Sequence, residues 1–428
     1  MNIPHLLLPI LTVSIISGCA SSGTSFPKIS HEEAASYEKS LTDNYVAPSP
    51  LDFPKPLYNQ PVNKKVACKL PTSSDQMQRR NFRQFWDGEC KDGYAFGLGR
   101  DISISDTHHY DEITIHNGTG EYKNQPVIFY DFVNHVVKYQ YRGNGPLESA
   151  TFAEQYAINN NTLNVRHTAE LVDEKGNQWG VIFSPLIPVK TYLNSSKGVA
   201  FEFVDRTSIP AKSDDIVYEV NIKNYNEVPG GIGIIKSGDG RFRHFKMENT
   251  GQKSLVEIPK SYLDHIEAKR QEVYQAIPRI NQFIENVKTT EREYLHFACN
   301  GNYKIEGLDS STANKVCSWR NDLQPMYQAA IENSKKQLEE RLKIVEKAEN
   351  ERMLQQRIAQ QQRVIEQQRN QQDTNEIING LNNLSNSLQN SATRTQQFIQ
   401  PMPIYQPTPS GSSGRINCIS TGPLTSCR

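Results

Sequence analysis

The chain has 428 residues, with 47 Lys and Arg residues against 47 Asp and Glu residues, so its formal net charge at pH 7 is zero. A balanced charge provides no field that would steer the protein toward nucleic acid or an acidic surface, and nucleic acid is not an expected partner. Only 36% of the residues are apolar, which is low for a globular chain and predicts that a sizeable part lies outside any packed core.

Residues 1–18 have the pattern of an export signal. An apolar run from Leu6 to Ile16 is too short to span a bilayer and is followed by small residues. The sequence Ile16-Ser17-Gly18-Cys19 resembles the lipobox of bacterial lipoproteins. The resemblance implies cleavage before Cys19 and attachment of lipid, with acyl chains such as palmitate, to that residue. The alternative is an ordinary secretory signal or a buried N-terminal helix, in which Cys19 is incidental.

The residue after Cys19 bears on the destination of the protein. It is Ala20, whereas lipoprotein families associate Asp at this position with retention in the inner membrane. The resemblance therefore implies an anchor in the cell outer membrane, with the mature chain facing the periplasm, and surface exposure remains an alternative. Residues 19–61 are rich in Ser, Pro and Asn and are predicted to be a flexible spacer with a short helix at 31–41, and a loop packed on the domain is the alternative.

The next segment, residues 62–146, is predicted to form an antiparallel sheet of β-hairpins. Glycines follow Trp86 at fixed steps, as Gly88, Gly93, Gly97 and Gly99. This order resembles the MORN repeat, a hairpin unit in which an aromatic residue opens a strand. Gly93 suits a turn with positive φ, and Gly97 and Gly99 are expected on a face where a side chain would block the next hairpin. An ordinary glycine-containing hairpin is the alternative.

Residues 147–257 also have strand-like patterns, separated by turn signals such as Glu174-Lys175-Gly176-Asn177. They predict a second β-rich unit of sandwich or half-barrel type. The glycine-rich string from Pro229 to Gly233 is not followed by Gly-Lys-Ser/Thr, so it is interpreted as a turn and a strand rather than a phosphate-binding loop.

Helix is predicted for most of the remaining chain. Residues 258–320 are expected to contain one helix, from about Ser261 to Phe297, and a loop. Residues 321–395 are expected to form a long second helix, rich in Gln and Asn, which completes a helical hairpin. Apolar residues from Tyr327 to Leu388 have the spacing of a coiled-coil seam and predict a homo-oligomer through residues 327–388. A solvated single helix, or disorder of the polar tract, is the alternative.

Six cysteines remain once Cys19 is assigned to the lipid, an even number for an oxidising compartment. Their spacing forms three close pairs, although six thiols allow fifteen connectivities. The sequential pairing is expected, with the last pair closing a hairpin after a Pro-, Ser- and Gly-rich linker in residues 396–428. The pairs are Cys68–Cys90, Cys299–Cys317 and Cys418–Cys427.

Neither a cofactor nor a metal site is expected. The cysteine pairs lack the spacing of zinc ligands, and His108 and His109 are adjacent residues that cannot both point into one site from a strand. Acidic residues such as Asp214 and Asp215 have no nucleophile and base around them. His108, His109, Asp111 and Glu112 are interpreted as the polar start of a strand, so no catalytic residue is predicted.

The sequence thus predicts an α+β protein. Its first part is a MORN-like antiparallel sheet with a second β-rich unit, and a long helical hairpin or coiled coil follows. The expected function is that of a membrane-anchored, non-enzymatic binding or scaffold lipoprotein of the cell envelope, with a protein or glycan partner. One alternative is an immunity or regulatory lipoprotein that captures a toxin or hydrolase. The other is an enzyme that acts on peptidoglycan or another glycan.

Overall fold

A computed structural model describes residues 26–43, 45, 57–121, 123–144, 148–159, 162–184, 187–224, 229–248, 250, 252–300, 303–395, 418–421 and 424–427. The chain divides into two compact units, residues 1–350 and residues 351–428. The first unit contains a large antiparallel sheet and the helices packed on it, which confirms the α+β class predicted from the sequence.

The first unit begins with short elements and continues as a long run of strands. Its elements before the long helices are α1 (His31–Thr42), β1 (Leu57–Asn59), β2 (Leu70–Thr72), α2 (Ser74–Met77), β3 (Arg83–Trp86), β4 (Glu89–Lys91), β5 (Tyr94–Ile104), β6 (His109–Asn117), β7 (Gln125–Asp131), β8 (Val136–Arg142), β9 (Ser149–Asn159), β10 (Thr162–Val172), β11 (Gln178–Ser184), β12 (Ile187–Asn194), β13 (Val199–Asp205), β14 (Ile216–Asn224), β15 (Pro229–Ser237), β16 (Phe242–Met247) and β17 (Lys253–Val256).

The helices that follow are α3 (Lys260–Ala298), α4 (Ser310–Ala313) and α5 (Lys315–Thr395), and α5 extends into the second unit. The second unit also contains β18 (Cys418–Thr421) and β19 (Leu424–Cys427), which pair with each other. Among the described residues, no helix is both long enough and apolar enough to cross a membrane.

Strands β3 to β17 belong to one sheet of 15 strands, in which consecutive strands from β5 to β17 are antiparallel neighbours. Both β3 and β4 pair with β5 at one end of the sheet. The sequence placed a boundary between two β units near residue 147, but the sheet continues there, since β8 pairs with β9 from Val136↔Gln155 to Arg142↔Ser149. The pairing continues because strands on both sides of the boundary bury alternate apolar residues under the same helix.

Helix α3 packs across one face of the sheet, which we call the inner face. Its C-terminal half buries Ile280, Ile284 and Val287 against strands β6 to β11, at the spacing that places side chains on one side of a helix. Its N-terminal half contributes Tyr262 and Ile266 to a neighbouring part of the core. The apolar residues of the sheet and of α3 thus form a core along the full length of the helix.

Part of the predicted spacer is packed on the sheet rather than flexible. Helix α1 begins after Ser30, whose hydroxyl caps it by accepting a hydrogen bond from the backbone N–H of Glu33 at 3.1 Å. Ala34 and Leu41 of α1 are buried against the inner face. Burial of these apolar side chains explains why residues 26–43 are held in place, and the helix predicted at 31–41 is confirmed.

The chain turns back on the sheet after α3, and the Cys299–Cys317 disulfide closes the turn. Helix α5 begins at Lys315, seven residues before the predicted start near Asp322, because Val316 and Trp319 extend its apolar face onto the sheet. It then runs antiparallel to α3. Trp319 contacts Tyr130 of β7, and Arg341 donates hydrogen bonds to Asp215 and the carbonyl of Pro210 after β13.

The part of α5 that lies in the second unit differs from its beginning. Every side chain described from 351 to 388 is exposed, and these include the apolar residues of the predicted coiled-coil seam. By contrast Tyr327, the first seam residue, packs against the sheet beside Tyr156. The described residues therefore leave the distal seam without a packing surface.

Candidate functional site

The face of the sheet opposite α3, which we call the outer face, is covered at its β3–β7 end. Residues 57–77, the cover segment, are attached there by the Cys68–Cys90 disulfide. Cys68 and Leu70 pack with Trp86 and Ala95 in a small buried cluster. The disulfide predicted from the spacing of these cysteines is thus present, and it fixes the cover segment to the sheet.

The glycines that follow Trp86 have two different roles. A Cβ on Gly99 would lie 2.6 Å from the Trp86 ring and 2.8 Å from the backbone nitrogen of Gly88, so only glycine fits beneath the indole. Gly88 contacts the same ring. Gly93 has φ = +81°, as expected for the turn. Gly97 also has a positive φ, +79°, with open space around it, so its backbone conformation rather than a close contact accounts for the glycine.

A cleft of about 250 Å³ opens on the outer face where the cover segment ends. One wall comes from the cover segment and the floor comes from β5 to β8. The lining residues are Pro71, Thr72, Ser73, Gln76, Asp101, Ser103, Tyr110, Glu112, Phe129 and Arg142. A concave surface on which polar groups from several elements converge is the usual form of a small-ligand site, so we take this cleft as the candidate functional site.

Two carboxyl groups lie side by side in the floor of the cleft. Asp101 of β5 is directly opposite Glu112 of β6 in the strand register, which places both side chains on the outer face. Gln84 donates a hydrogen bond to Asp101 at 2.8 Å, and Ser103 donates another at 3.2 Å. Burial, and then the nearby charge of Glu112, raise the pKa of Asp101 well above its usual range.

The remaining walls provide an aromatic surface and a cation. The rings of Tyr110 and Phe129 lie 5.1 Å apart between centroids, and Arg79 donates a hydrogen bond to the Tyr110 hydroxyl at 3.3 Å. Arg142 of β8 lines the cleft and contributes a guanidinium group. The cleft therefore combines hydrogen-bond donors, hydrogen-bond acceptors and a ring face within one small volume.

A buried cluster around Arg100 holds the turn after α3 against the inner face. The Arg100 guanidinium donates to the carbonyl of Ala313 at 2.7 Å and contacts the carboxylate of Asp111 at 3.2 Å. Its backbone N–H donates to Asp87, which also accepts hydrogen bonds from Tyr294 and Tyr303. These contacts are enclosed between the sheet and the helices, so we assign them a structural role.

A second buried cluster surrounds Glu291 of α3. Its carboxylate accepts hydrogen bonds from the hydroxyls of Tyr130 and Tyr139 and from Arg320 of α5, the last at 2.6 Å. Burial, together with the charge of Glu291, raises the pKa of both tyrosines well above the usual range. Because one carboxylate joins two strands and two helices, this cluster also positions structural elements.

Most of the site residues predicted from the sequence lie outside the cleft. Cys19 lies outside the described residues. Cys418 and Cys427 are opposite each other in the register of β18 and β19, but their side chains are not described. The strand predicted around His109 is confirmed as β6, in which Glu112 faces the cleft and Asp111 faces the buried cluster around Arg100.

Sequence reasoning did not find Asp101, Gln84 or Arg142, which are far apart in the chain and join the site through strand pairing. Only the strand register brings Asp101 beside Glu112. Within the described ranges, no group of three or more His, Cys, Asp or Glu side chains is arranged to hold a metal ion. Comparison of the chain with family models, with curated proteins and with solved structures finds no match.

Proposed function

We propose that this chain is a lipid-anchored protein of the cell envelope that binds a partner in the periplasm and acts as a scaffold, without catalysis of its own. The lipobox-like sequence ending at Cys19 supports export and anchoring. The observation that carries the binding role is the cleft, since it brings polar groups of three strands and the cover segment to one small surface. In a site of this kind a few placed polar groups fix the orientation of the ligand.

Anchoring is tested by growing producing cells with labelled palmitate. The wild-type chain is expected to incorporate the label and to sediment with outer membranes, since two or more acyl chains hold a protein on a bilayer. Cys19→Ser is expected to lose both the label and the membrane association. Retention of membrane association by Cys19→Ser would contradict a lipid anchor.

Partner binding at the cleft is tested by photocrosslinking in cells. A photoreactive phenylalanine analogue at Ser73, which lines the cleft, is expected to give a discrete adduct. The matched control places the same analogue at Arg166, an exposed residue of β10 outside the cleft. Adducts of the same size from both positions, or none from Ser73, would contradict binding at the cleft.

The scaffold role rests on self-association with a second copy of the chain through the exposed seam of α5. Leu354, Ile358, Leu381, Leu384 and Leu388 are each between 45% and 64% exposed. Several are separated by three or four residues, the spacing that forms the contact line of a coiled coil. Pairing of two such helices would bury side chains that now face solvent.

Self-association is tested by sedimentation of the full chain in detergent. Leu381→Glu with Leu384→Glu is expected to shift an oligomer to a monomer, because charges would enter the contact line. The matched control is Asn382→Glu with Asn383→Glu, which adds the same charges between the two leucines. A monomeric wild-type chain would remove the scaffold part of the proposal.

A second candidate function, hydrolysis of a glycan, is favoured by the Asp101–Glu112 pair. Glycosidases use two carboxyl groups, one of which has a raised pKa and acts as the acid. Zymography of the purified chain on peptidoglycan is the direct test. Clearing that Glu112→Gln abolishes would replace the non-catalytic proposal with this one.

A further inference from the structure

The lining of the cleft has the chemistry of a surface that recognises hydroxyl groups. It presents the hydroxyls of Thr72, Ser73, Ser103 and Tyr110, and the amide of Gln76, around the two carboxyl groups. A hydroxyl-rich ligand both donates and accepts hydrogen bonds, and carboxylates, amides and hydroxyls can pair with both roles. The mixture of groups therefore fits a polyhydroxylated ligand better than an apolar one.

The charges of the cleft nearly balance. Asp101, Glu112 and Arg142 all belong to the lining. Burial and the charge of Glu112 raise the pKa of Asp101, so the Asp101 carboxyl group keeps its proton to a higher pH than an exposed Asp would, which reduces the negative charge of the lining. The carboxyl pair would repel a phosphate group, and Arg142 would repel an amine. Neither an anionic nor a cationic ligand is therefore complementary to the whole surface of the cleft.

A fully buried acceptor lies next to the carboxyl pair. Gln84 is 0% exposed and uses its amide N–H₂ group to donate to Asp101 and to the carbonyl of Pro71. Among the described residues, no donor reaches its Oε1 atom. Gln84 is not itself part of the lining, so its role in the cleft is to hold the Asp101 carboxyl group in place through the hydrogen bond that it donates.

The aromatic wall favours a ring with an apolar face. Phe129 is partly exposed and lies against Tyr110, so it offers ring carbons next to the hydrogen-bonding groups. A pyranose ring has C–H groups on its faces and hydroxyls at its edge, which matches this juxtaposition. The volume of about 250 Å³ is small for a drug-sized ligand and suits one sugar ring.

An extended peptide fits the cleft less well. Peptides that add to a sheet need an unpaired strand edge, whereas β6, which provides Tyr110 and Glu112, is paired with β5 on one side and β7 on the other. The backbone hydrogen-bonding groups in the floor are therefore used within the sheet. Recognition has to come from the side chains.

We infer that the cleft binds one ring of an uncharged carbohydrate, held by hydrogen bonds to Asp101 and Glu112 and by stacking on Phe129. This inference rests on the proposed binding function and names the chemical class of its ligand.

The test uses the full chain in a detergent without a sugar headgroup, and saturation-transfer NMR to detect weak binding. Chitotriose and maltotriose serve as uncharged probes, and the fully deacetylated chitosan trimer serves as the charged control. At least one uncharged trisaccharide is expected to bind and the chitosan trimer is not. Phe129→Ala and Glu112→Gln are expected to weaken that binding about tenfold each, a loss typical of one good contact.

Glu219→Gln is the matched control, because Glu219 lies on the outer face in β14, away from the cleft, and its replacement should leave affinity unchanged. The inference is overturned if neither uncharged trisaccharide binds at millimolar concentration, if the chitosan trimer binds more tightly, or if Glu112→Gln binds like the wild type. Palmitate labelling and the Ser73 adduct do not depend on the sugar. If they persist while both trisaccharides fail, only the ligand class is wrong.

Discussion

At the β3–β7 end of the sheet the outer face lies under the cover segment, whereas at the β11–β16 end its side chains contact one another and remain partly exposed. The covered end buries Cys68, Leu70 and Trp86. At the other end Glu202 forms ion pairs with Lys190 at 2.8 Å and Lys223 at 3.0 Å. The cleft therefore lies at the boundary between the covered and the uncovered part of the outer face, because the end of the cover segment forms one of its walls.

Both ends share one packing device, an aromatic ring over a glycine. Gly180 lies directly opposite Tyr192 in the register of β11 and β12, and Gly233 lies opposite Phe245 in β15 and β16. A Cβ on either glycine would lie 2.1 Å from the facing ring. At the covered end Trp86 lies over Gly99 in the same way, but there the indole also supports the cover segment.

The largest effect that separates the two ends is expected from the disulfide. Replacing Cys68 and Cys90 by Ser opens a link across 22 residues and should lower the free energy of unfolding by about 3 kcal/mol. Denaturant titration measures the loss, and trypsin should then cleave after Lys64 and Lys65 in the cover segment. The control, Cys299→Ser with Cys317→Ser, should lose similar stability without this cleavage. Equal cleavage in both variants would contradict a local role.

Acid should destabilise the covered end through His116, whose ring lies 5.1 Å from that of Trp86. Burial, followed by the charge of Arg142, lowers the pKa of His116 from 6.5 to about 4. Between pH 6.5 and pH 4 the unfolded chain therefore binds a proton on His116 that the folded chain does not bind. The free energy of unfolding is unaffected by His116 above pH 6.5 and falls as the pH is lowered toward 4, by up to about 3 kcal/mol.

Denaturant titrations from pH 7 to pH 4 measure this effect. His116→Gln should flatten the pH dependence in that window. If the free energy of unfolding of His116→Gln falls with pH as steeply as that of the wild type, other groups cause the acid sensitivity.

The next largest difference in stability between the two ends is expected when a glycine beneath an aromatic ring is replaced by alanine. In Gly99→Ala the new Cβ would press on Trp86 and on backbone that cannot move aside, for an expected loss of about 2 kcal/mol. In Gly180→Ala the facing ring is Tyr192, which is only partly buried and can turn toward solvent. Thermal unfolding should show a clearly smaller loss for Gly180→Ala, and a larger one would reverse the comparison.

The smallest effect is expected from the ion pairs of the open end. Glu202→Gln removes a carboxylate that pairs with two lysines at partly exposed positions, so about 0.5–1 kcal/mol is expected. High salt should reduce the difference, because it screens exposed charges. A loss as large as that of the Cys68 and Cys90 variant would show that the open end depends on these charges more than its exposure indicates.

The fold was largely accessible from the pattern of residues, and the site was not. Alternation of apolar residues predicted strands, and helical spacing predicted α1 and α3 within a residue or two. The start of α5 was predicted too late, because Val316 and Trp319 are helical through packing on the sheet. The cleft was not predicted, because its lining residues, such as Gln76 and Arg142, come from distant parts of the chain.

Residue type and local spacing were enough to predict the run of strands before the long helices, the pattern of an export signal, and the two disulfides that are described. Long-range pairing was needed to show that the strands form one sheet and that Asp101 lies beside Glu112 on its outer face. The physical reason is register, since a slip of one residue between strands sends each side chain to the opposite face.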